Sequence, residues 1–472
     1  MRATVFHAQL WGKRDGKYSR LLESDLNVTE WADLAPQAPL YLFVPRDAAL
    51  STEYERGWRL VDIFPINSVG IVTARDRLTI QWSAPDVWQT VRQFASLPVE
   101  VARQRYALGR DARDWKVQLA QEDVRASGPD RAKVVPILYR PFDTRFTYYT
   151  AQTRGFICMP RPGVMRHMLA DRNLGMISAR SNKSASMDHF FTTRRMIETK
   201  CGESTTQSCI LPIYVYPGSC DQGQREVPGA SRWPPGKGGR LPNLAPDFVA
   251  EMEEKLGQRF VPDGLGDLRQ TVGPEDIFHY IYAIFHSPTY RKRYAEFLKR
   301  DFPRVPLTSD LALFRNLCQK GADLVALHLV EGDYGAASWN RGEPQRPSPF
   351  HNLMSTFPVK GDDVVEKVFY LAPGEPEPGT GKPLPPGKGR VYISKDRPKA
   401  EKKGQYFEGV PPEVWGFHVG GYQVCRKWLK DRKGRKLSYD DVQHYHRIVV
   451  ALNETIRLTA EIDAAIPRWP IE

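Results

Sequence analysis

The segments that invite a catalytic reading are Gly379-Thr380-Gly381-Lys382, Asp396 with Glu401-Lys402-Lys403, and Asp440, Asp441, His444 and His446. The first has the look of a phosphate-binding loop, but Pro383 stands where a magnesium-binding Ser or Thr belongs and no strand precedes it. The second is too tightly spaced for a nuclease carboxylate-lysine set and lies in a Lys-rich stretch. On a helix, Asp440 and His444 share a face while His446 points about 200° round from His444, so an i,i+4 ion pair is expected rather than a metal site. No Ser/His/Asp or Cys/His arrangement is supported by spacing. A base-clamping tetrapeptide of the N-P-P-Y kind and a Gly-rich turn for a sulfonium cofactor are both missing; Pro242-Asn243 has the wrong order.

Binding chemistry is better represented. Residues 140–200 carry eleven Lys or Arg (Arg140, Arg145, Arg154, Arg161, Arg166, Arg172, Arg180, Lys183, Arg194, Arg195, Lys200) against four acids (Asp143, Asp171, Asp188, Glu198), a local net charge of +7. Arginine forks bidentately onto phosphate or guanine, and Ser181, Asn182, Ser184, Ser186, Thr192 and Thr193 add short donors suited to phosphate oxygens. The loop from Arg180 to Arg195 is expected to read bases. A second cluster, Arg426–Lys436, holds seven basic residues in eleven positions with Asp431 as the lone acid. Trp428 and Leu429 are expected to seat it on a core while Lys427, Lys430, Arg432, Lys433, Arg435 and Lys436 face outward toward a phosphate backbone. The solvated alternatives, a basic loop and a charged turn, remain open for both. Tyr280, Tyr282, Phe285, Tyr290, Tyr294 and Phe297 recur at helical spacing and read as core; Tyr148 and Tyr149 read as the better candidates for an exposed contact.

The elements that must position these groups are mixed, so the fold class is α+β. Strand-like runs at Thr4–Trp11, Lys17–Ser24, Pro39–Val44 and Ile71–Trp82, with a helical Ser51–Trp58, look like the terminal part of an α/β sheet. A helix over Asp86–Leu108 must break or kink at Pro98. Four β-rich runs (134–139, 145–150, 174–179, 210–216) lie between basic loops, and 218–243 is a Gly/Pro-rich linker. Helices are expected over Pro246–Leu256, Pro274–Lys299, Leu311–Glu331 and Tyr439–Ile466, with short strands at Val364–Leu371 and Arg390–Ile393 and loops at 332–362 and 372–404. The domain order read from this is 1–95 (α/β remnant), 96–133 (helical connector), 134–217 (β-rich recognition module), 218–243 (linker), 244–331 (helical subdomain) and 332–472 (C-terminal subdomain with insertions).

Length and composition permit this plan. At 472 residues the chain has room for roughly three domains. An excess of 67 Lys and Arg over 55 Asp and Glu gives +12, which favours a polyanionic partner over an acidic one. Six cysteines form no C-x-x-C pair and read as reduced, cytosolic thiols rather than zinc ligands or disulfides. Met1–Gly16 lacks an apolar signal core and no stretch approaches a membrane span, so a cytoplasmic protein without a membrane partner is expected.

Several stretches together resemble one family. Tyr139-Arg140-Pro141-Phe142-Asp143, Arg161–Met168 (R-P-G-V-M-R-H-M), Asn173-Leu174-Gly175, Pro274–Pro288, Tyr290–Tyr294, Asp301–Pro306 and the tail Tyr406–Lys436 are similar to the C-terminal specificity region of type ISP restriction-modification enzymes. The first block also resembles single-chain type IIG enzymes, whereas the tail favours type ISP. His7–Gly12 (H-A-Q-L-W-G) and Asn67–Thr73 are similar to what closes the adenine-N6 methyltransferase domain of the same enzymes. The resemblance implies sequence recognition on double-stranded DNA, and the basic stretch offers Arg145, Arg154, Arg161, Arg166, Arg180, Asn182, Lys183, Arg194 and Arg195 as candidate contacts. It assigns no catalytic residue, metal or cofactor to this chain: S-adenosylmethionine, ATP and magnesium would belong to methyltransferase, translocase and nuclease domains on other polypeptide. Two rivals stay open, an essential half of a split adenine methyltransferase and a decayed gene remnant.

Overall fold

The computed structural model describes residues 4–36, 41, 43, 47–170, 173–183, 187–217, 233–330, 348–358, 363–377, 380–387, 389–394 and 404–471. Arg172, Ser184, Ser186, Gly379, Asp396, Glu401 to Lys403 and most of the 218–243 linker lie outside these residues. The chain divides into two compact units, Met1–Gly57 and Trp58–Glu472.

In the first unit, strand Val5–His7 pairs antiparallel with Ala32–Leu34, and helices span Arg14–Glu23 and Ala48–Glu55. Lys17–Ser24 is therefore helix rather than strand. Tyr18, Leu21 and Leu22 stand at i, i+3 and i+4, the helical repeat, and all three are exposed.

The second unit is built around two four-stranded sheets. The first runs Met196–Ile197, Val134–Arg140, Asp143–Tyr148, Ile80–Gln81; only its first pair is parallel. The second runs Ser68–Val69, Ser208–Pro212, Gly175–Ala179, Phe191–Thr193, antiparallel throughout. Residues 68–81 thus close edges of both sheets instead of continuing a sheet of their own. Ile71–Trp82 is not one strand: it contributes bridges at Ile71 and Val72, a turn of helix at Asp76–Thr79 and the Ile80–Gln81 edge. Gly70 makes the crossing possible, because a Cβ there would lie 2.6 Å from the Glu198 backbone.

Three helices form the opposing core. Pro274–His286 is buried everywhere except Glu275, and Leu311–Leu329 packs on it so closely that a Cβ on Gly321 would lie 1.9 Å from the His279 carbonyl. Tyr439–Ala465 packs on Leu311–Leu329 in turn. The helix expected over Pro274–Lys299 is three pieces, because Pro288 lacks the N–H that would continue it and Ser287 Oγ caps the next turn at Tyr290 N (3.0 Å). Tyr280, Tyr282, Phe285, Tyr290 and Tyr294 are buried core. So are Tyr148 and Tyr149: their hydroxyls meet Ser127 Oγ (2.8 Å) and the Pro160 carbonyl (3.1 Å), and neither is an exposed contact. Among the described residues no helix is long and apolar enough to cross a membrane.

Candidate nucleic-acid interface

The turn joining the two central strands of the first sheet places Pro141 and then Phe142 at φ +60°, the i+1 and i+2 pattern of a type II turn. His444 Nε2 bonds the Phe142 carbonyl at 2.7 Å, which ties this turn to the C-terminal helix. Asp143 follows, 1% exposed, and accepts from Arg145 (2.7 Å) and Arg432 (3.1 Å).

Those two arginines belong to a ladder of alternating cations and rings. Arg432 lies 3.4 Å from the Trp428 ring centroid and 4.9 Å from Trp82; Arg145 lies 3.8 Å from Trp82 and 4.0 Å from Tyr139; Arg140 lies 3.9 Å from Tyr139 and 5.7 Å from Tyr422. Carboxylates close it at the sides: Glu198 takes Arg140 (2.5 Å), Asp431 approaches Arg145 (3.6 Å) and Asp441 approaches Arg432 (3.4 Å). Stacking on a ring face leaves the edge of a guanidinium free for carboxylate forks, which is why arginine rather than lysine occupies these rungs. Desolvation pushes the Glu198 carboxyl upward despite Arg140 beside it.

This corrects the outward placement of Arg432 and sets Arg145 apart from the other candidates: both are buried and their donors are used inside the protein. Asn182 is buried as well, with Nδ2 2.9 Å from His189 Nδ1. The physical reason is an acid or histidine brought alongside: Asp143 from the same strand and Asp431 for Arg145, Asp143 and Asp441 for Arg432, and His189 from the same loop for Asn182. Arg161 and Arg166 are half-buried, as is Arg194. Arg180, Lys183 and Arg195 are exposed, Arg180 lying 3.4 Å from Asp301. In the tail, Lys427 pairs with Asp431 at 2.5 Å, while Lys430, Lys433, Arg435 and Lys436 are exposed and Arg435 lies 4.3 Å from the Trp82 ring. Trp428 and Leu429 are buried beneath them, as their spacing suggested.

Beside the ladder opens a cavity of about 530 Å³ lined by Phe142, Thr144, Trp428, Tyr439, Gln443 and Arg447 among others. His444 faces it and bonds the Phe142 carbonyl without pairing to Asp440, and His446 bonds Ser355 Oγ at 2.6 Å. Among the described residues no group of three or more His, Cys, Asp or Glu could hold a metal ion.

Sequence reasoning missed a second loop pair. The turn 109–116 carries exposed Arg110, Arg113 and Lys116, and it meets the loop 150–158 through Arg154, whose Nη2 is 3.3 Å from Asp114. The intervening acids Asp111 and Asp114 hide these cations from any count of net charge, so no signal in the sequence singles them out.

A family model described as the type ISP C-terminal specificity domain matches residues 62–461. Among curated proteins there is no match. The solved cryo-EM structure of a DrdV–DNA complex aligns at TM-score 0.59 and 17% identity over 96% of this chain and 42% of that one. A nuclease-deletion mutant of the type ISP restriction-modification enzyme LlaGI, in complex with a DNA substrate mimic, aligns at 0.61 and 17% identity over 99% and 33%. The ATP-dependent type ISP restriction-modification enzyme LlaBIII bound to DNA aligns at 0.57 and 14% identity over 94% and 26%. The chain thus spans between 26% and 42% of these structural relatives, and the likeness is one of fold.

Proposed function

Because this chain belongs to the family of type ISP C-terminal specificity domains, we propose that it recognises a specific sequence in duplex DNA and presents that site to adenine-N6 methyltransferase and nuclease activities that lie outside these residues. The observation that carries the reading is the family match over residues 62–461, a span that takes in every candidate contact from Arg145 to Lys436. The exposed cations support it: Arg180 and Lys183 after the Gly175–Ala179 strand, Arg195 between Phe191–Thr193 and Met196–Ile197, and Lys430, Lys433, Arg435 and Lys436 in the tail. Lysines and arginines of this kind neutralise phosphates and set register, while a smaller number of side chains read base edges in the major groove. Base extrusion and methyl transfer would follow there, with S-adenosylmethionine, ATP and magnesium held outside these residues.

Binding of the folded chain to a random duplex pool across a salt series, with the retained DNA sequenced, tests this. The expected result is a consensus and a salt slope worth several phosphates at about 0.9 each. Folded protein that retains no duplex would overturn it.

A second reading, the essential half of a split adenine methyltransferase, is favoured by the Met1–Gly57 unit. There Trp11, Leu22 and Leu26 are 84%, 89% and 77% exposed, and the Arg14–Glu23 helix buries nothing. A helix that buries no face is unstable alone and calls for a partner surface, which a methyltransferase domain closed by this unit would supply. Co-purification with a methyltransferase-bearing polypeptide, followed by a methyl-transfer assay, separates this from a stand-alone binder; Leu22→Glu should abolish the association.

A further inference from the structure

We propose that the paired loops 109–116 and 150–158 form the base-reading edge of this domain, with Gln152 and Arg154 as the side chains that set sequence preference on duplex DNA. The inference rests on the DNA-recognition reading and moves the reading element away from the loop that follows Ala179.

Two non-glycine residues of the second loop have left-handed backbone, Ala151 (φ +66°) and Arg154 (φ +62°), and Arg161 (φ +55°) follows just beyond it. Such conformations persist only where surrounding structure over-determines them, and they gather at ligand clamps. The over-determination is visible. Asp123, buried in the Val117–Ala126 helix, accepts from Thr150 Oγ1 and from Phe156 N, both at 2.8 Å. A Cβ on Gly155 would lie 2.2 Å from the same carboxylate, so only glycine lets the loop seat against it. The partner loop is braced to match, since buried Trp115 donates to the Phe156 carbonyl (3.3 Å) and Cys158 Sγ to the Asp114 carbonyl (3.2 Å). Asp114 then sits between Arg113 (3.0 Å) and Arg154 (3.3 Å).

On this rigid base the exposed tip consists of Gln152, Thr153 and Arg154. A glutamine amide matches adenine N6 and N7, and an arginine fork matches guanine O6 and N7. Flanking Arg110, Arg113 and Lys116 are placed to meet phosphates. Pre-ordered loops lose little freedom on binding, which is what accurate readout requires. The loop after Ala179 is turned inward where it is described. Asn182 bonds His189 in the interior, Met187 is buried, and Phe190 stacks on Phe285 at 4.6 Å.

The test is selection of binding sites from a random duplex pool by the parent chain and by Gln152→Ala, Gln152→Glu, Arg154→Ala and Arg154→Lys, each first shown to melt like the parent. Each alanine variant should bind the parent site roughly 5- to 150-fold more weakly and lose preference at one position only. Gln152→Glu should move the preference at its position from adenine toward cytosine, whose N4 donates to a carboxylate. A parent consensus that survives all four substitutions overturns the loop assignment and leaves DNA recognition standing. Retention of duplex by the parent without any consensus overturns base reading by these residues, and no retention overturns both readings.

Discussion

Arg432 donates to Asp143 at 3.1 Å across 289 residues of sequence, and Asp143 holds Arg145 at 2.7 Å on its other oxygen. One buried carboxylate therefore bridges two buried guanidinium groups from opposite ends of the domain, with Asp431 and Asp441 supplying the further charge at 3.6 and 3.4 Å. Asp143→Ala should cost about 3–5 kcal/mol in urea denaturation, because the cations stay buried without the acid that bonds both. Arg432→Ala should leave the salt dependence of DNA binding unchanged; a reduced slope would show that Arg432 reaches phosphate after all.

The exposed tail cations behave differently. Lys433→Ala, Arg435→Ala and Lys436→Ala should each alter stability by no more than about 0.5 kcal/mol, with Arg435 at the upper end because it lies over Trp82. Each should lower the logarithmic salt slope by about 0.9 and weaken all duplex sequences alike. Unchanged slopes in all three would assign the cluster to solvent.

Acid should destabilise the fold early. Burial holds His189 and His328 down to about 3 and His167 and His446 to about 4, so all four are neutral in the native state at pH 7. Unfolded histidine protonates near pH 6.5, so stability is full above that value and falls below it. The loss is on the order of 1 kcal/mol per pH unit for each. Asp123 and Glu198, held up by burial, oppose this by regaining stability as they protonate. Thermal melting at pH 7.5 and pH 5.5 checks the sign; equal midpoints would mean that the histidines titrate normally.

Gly321→Ala should be far more damaging than an ordinary helical glycine replacement, which raises helix propensity. The added methyl meets the His279 carbonyl at 1.9 Å, so the two central helices must separate. A loss of at least about 1–3 kcal/mol is expected from overpacking; a gain in denaturation midpoint would contradict the packing.

Some of this architecture can be read directly from the residues. The Pro246–Leu256 helix begins on proline at N1 and ends against Gly257 at φ +62°, so local chemistry defines both ends. Tyr439–Ala465 begins with the Ser438/Asp441 capping box. The strands at Ser68–Val69 and Ile80–Gln81 are a different matter: two residues show no period, and they exist only because Cys209–Ile210 and Phe146–Thr147 offer edges far along the chain. The site divides the same way. Basic character over 140–200 is plain, but the burial of Arg432 depends on Asp143, and that of Arg145 on Trp82 and Asp431, which only folding brings near. The loop at 109–116 escapes notice because Asp111 and Asp114 offset two of its three cations, leaving a local charge of only +1.

The ladder also fixes when this domain becomes complete during synthesis. A nascent chain still short of residue 432 has Asp143, Arg145 and Trp82 on hand but lacks the guanidinium and the indole that finish the stack. Until residue 432 is made, the stack over Trp82 stays open and the buried Asp143–Arg145 pair lacks its third member, so this part of the core closes only after the Arg426–Lys436 segment has emerged.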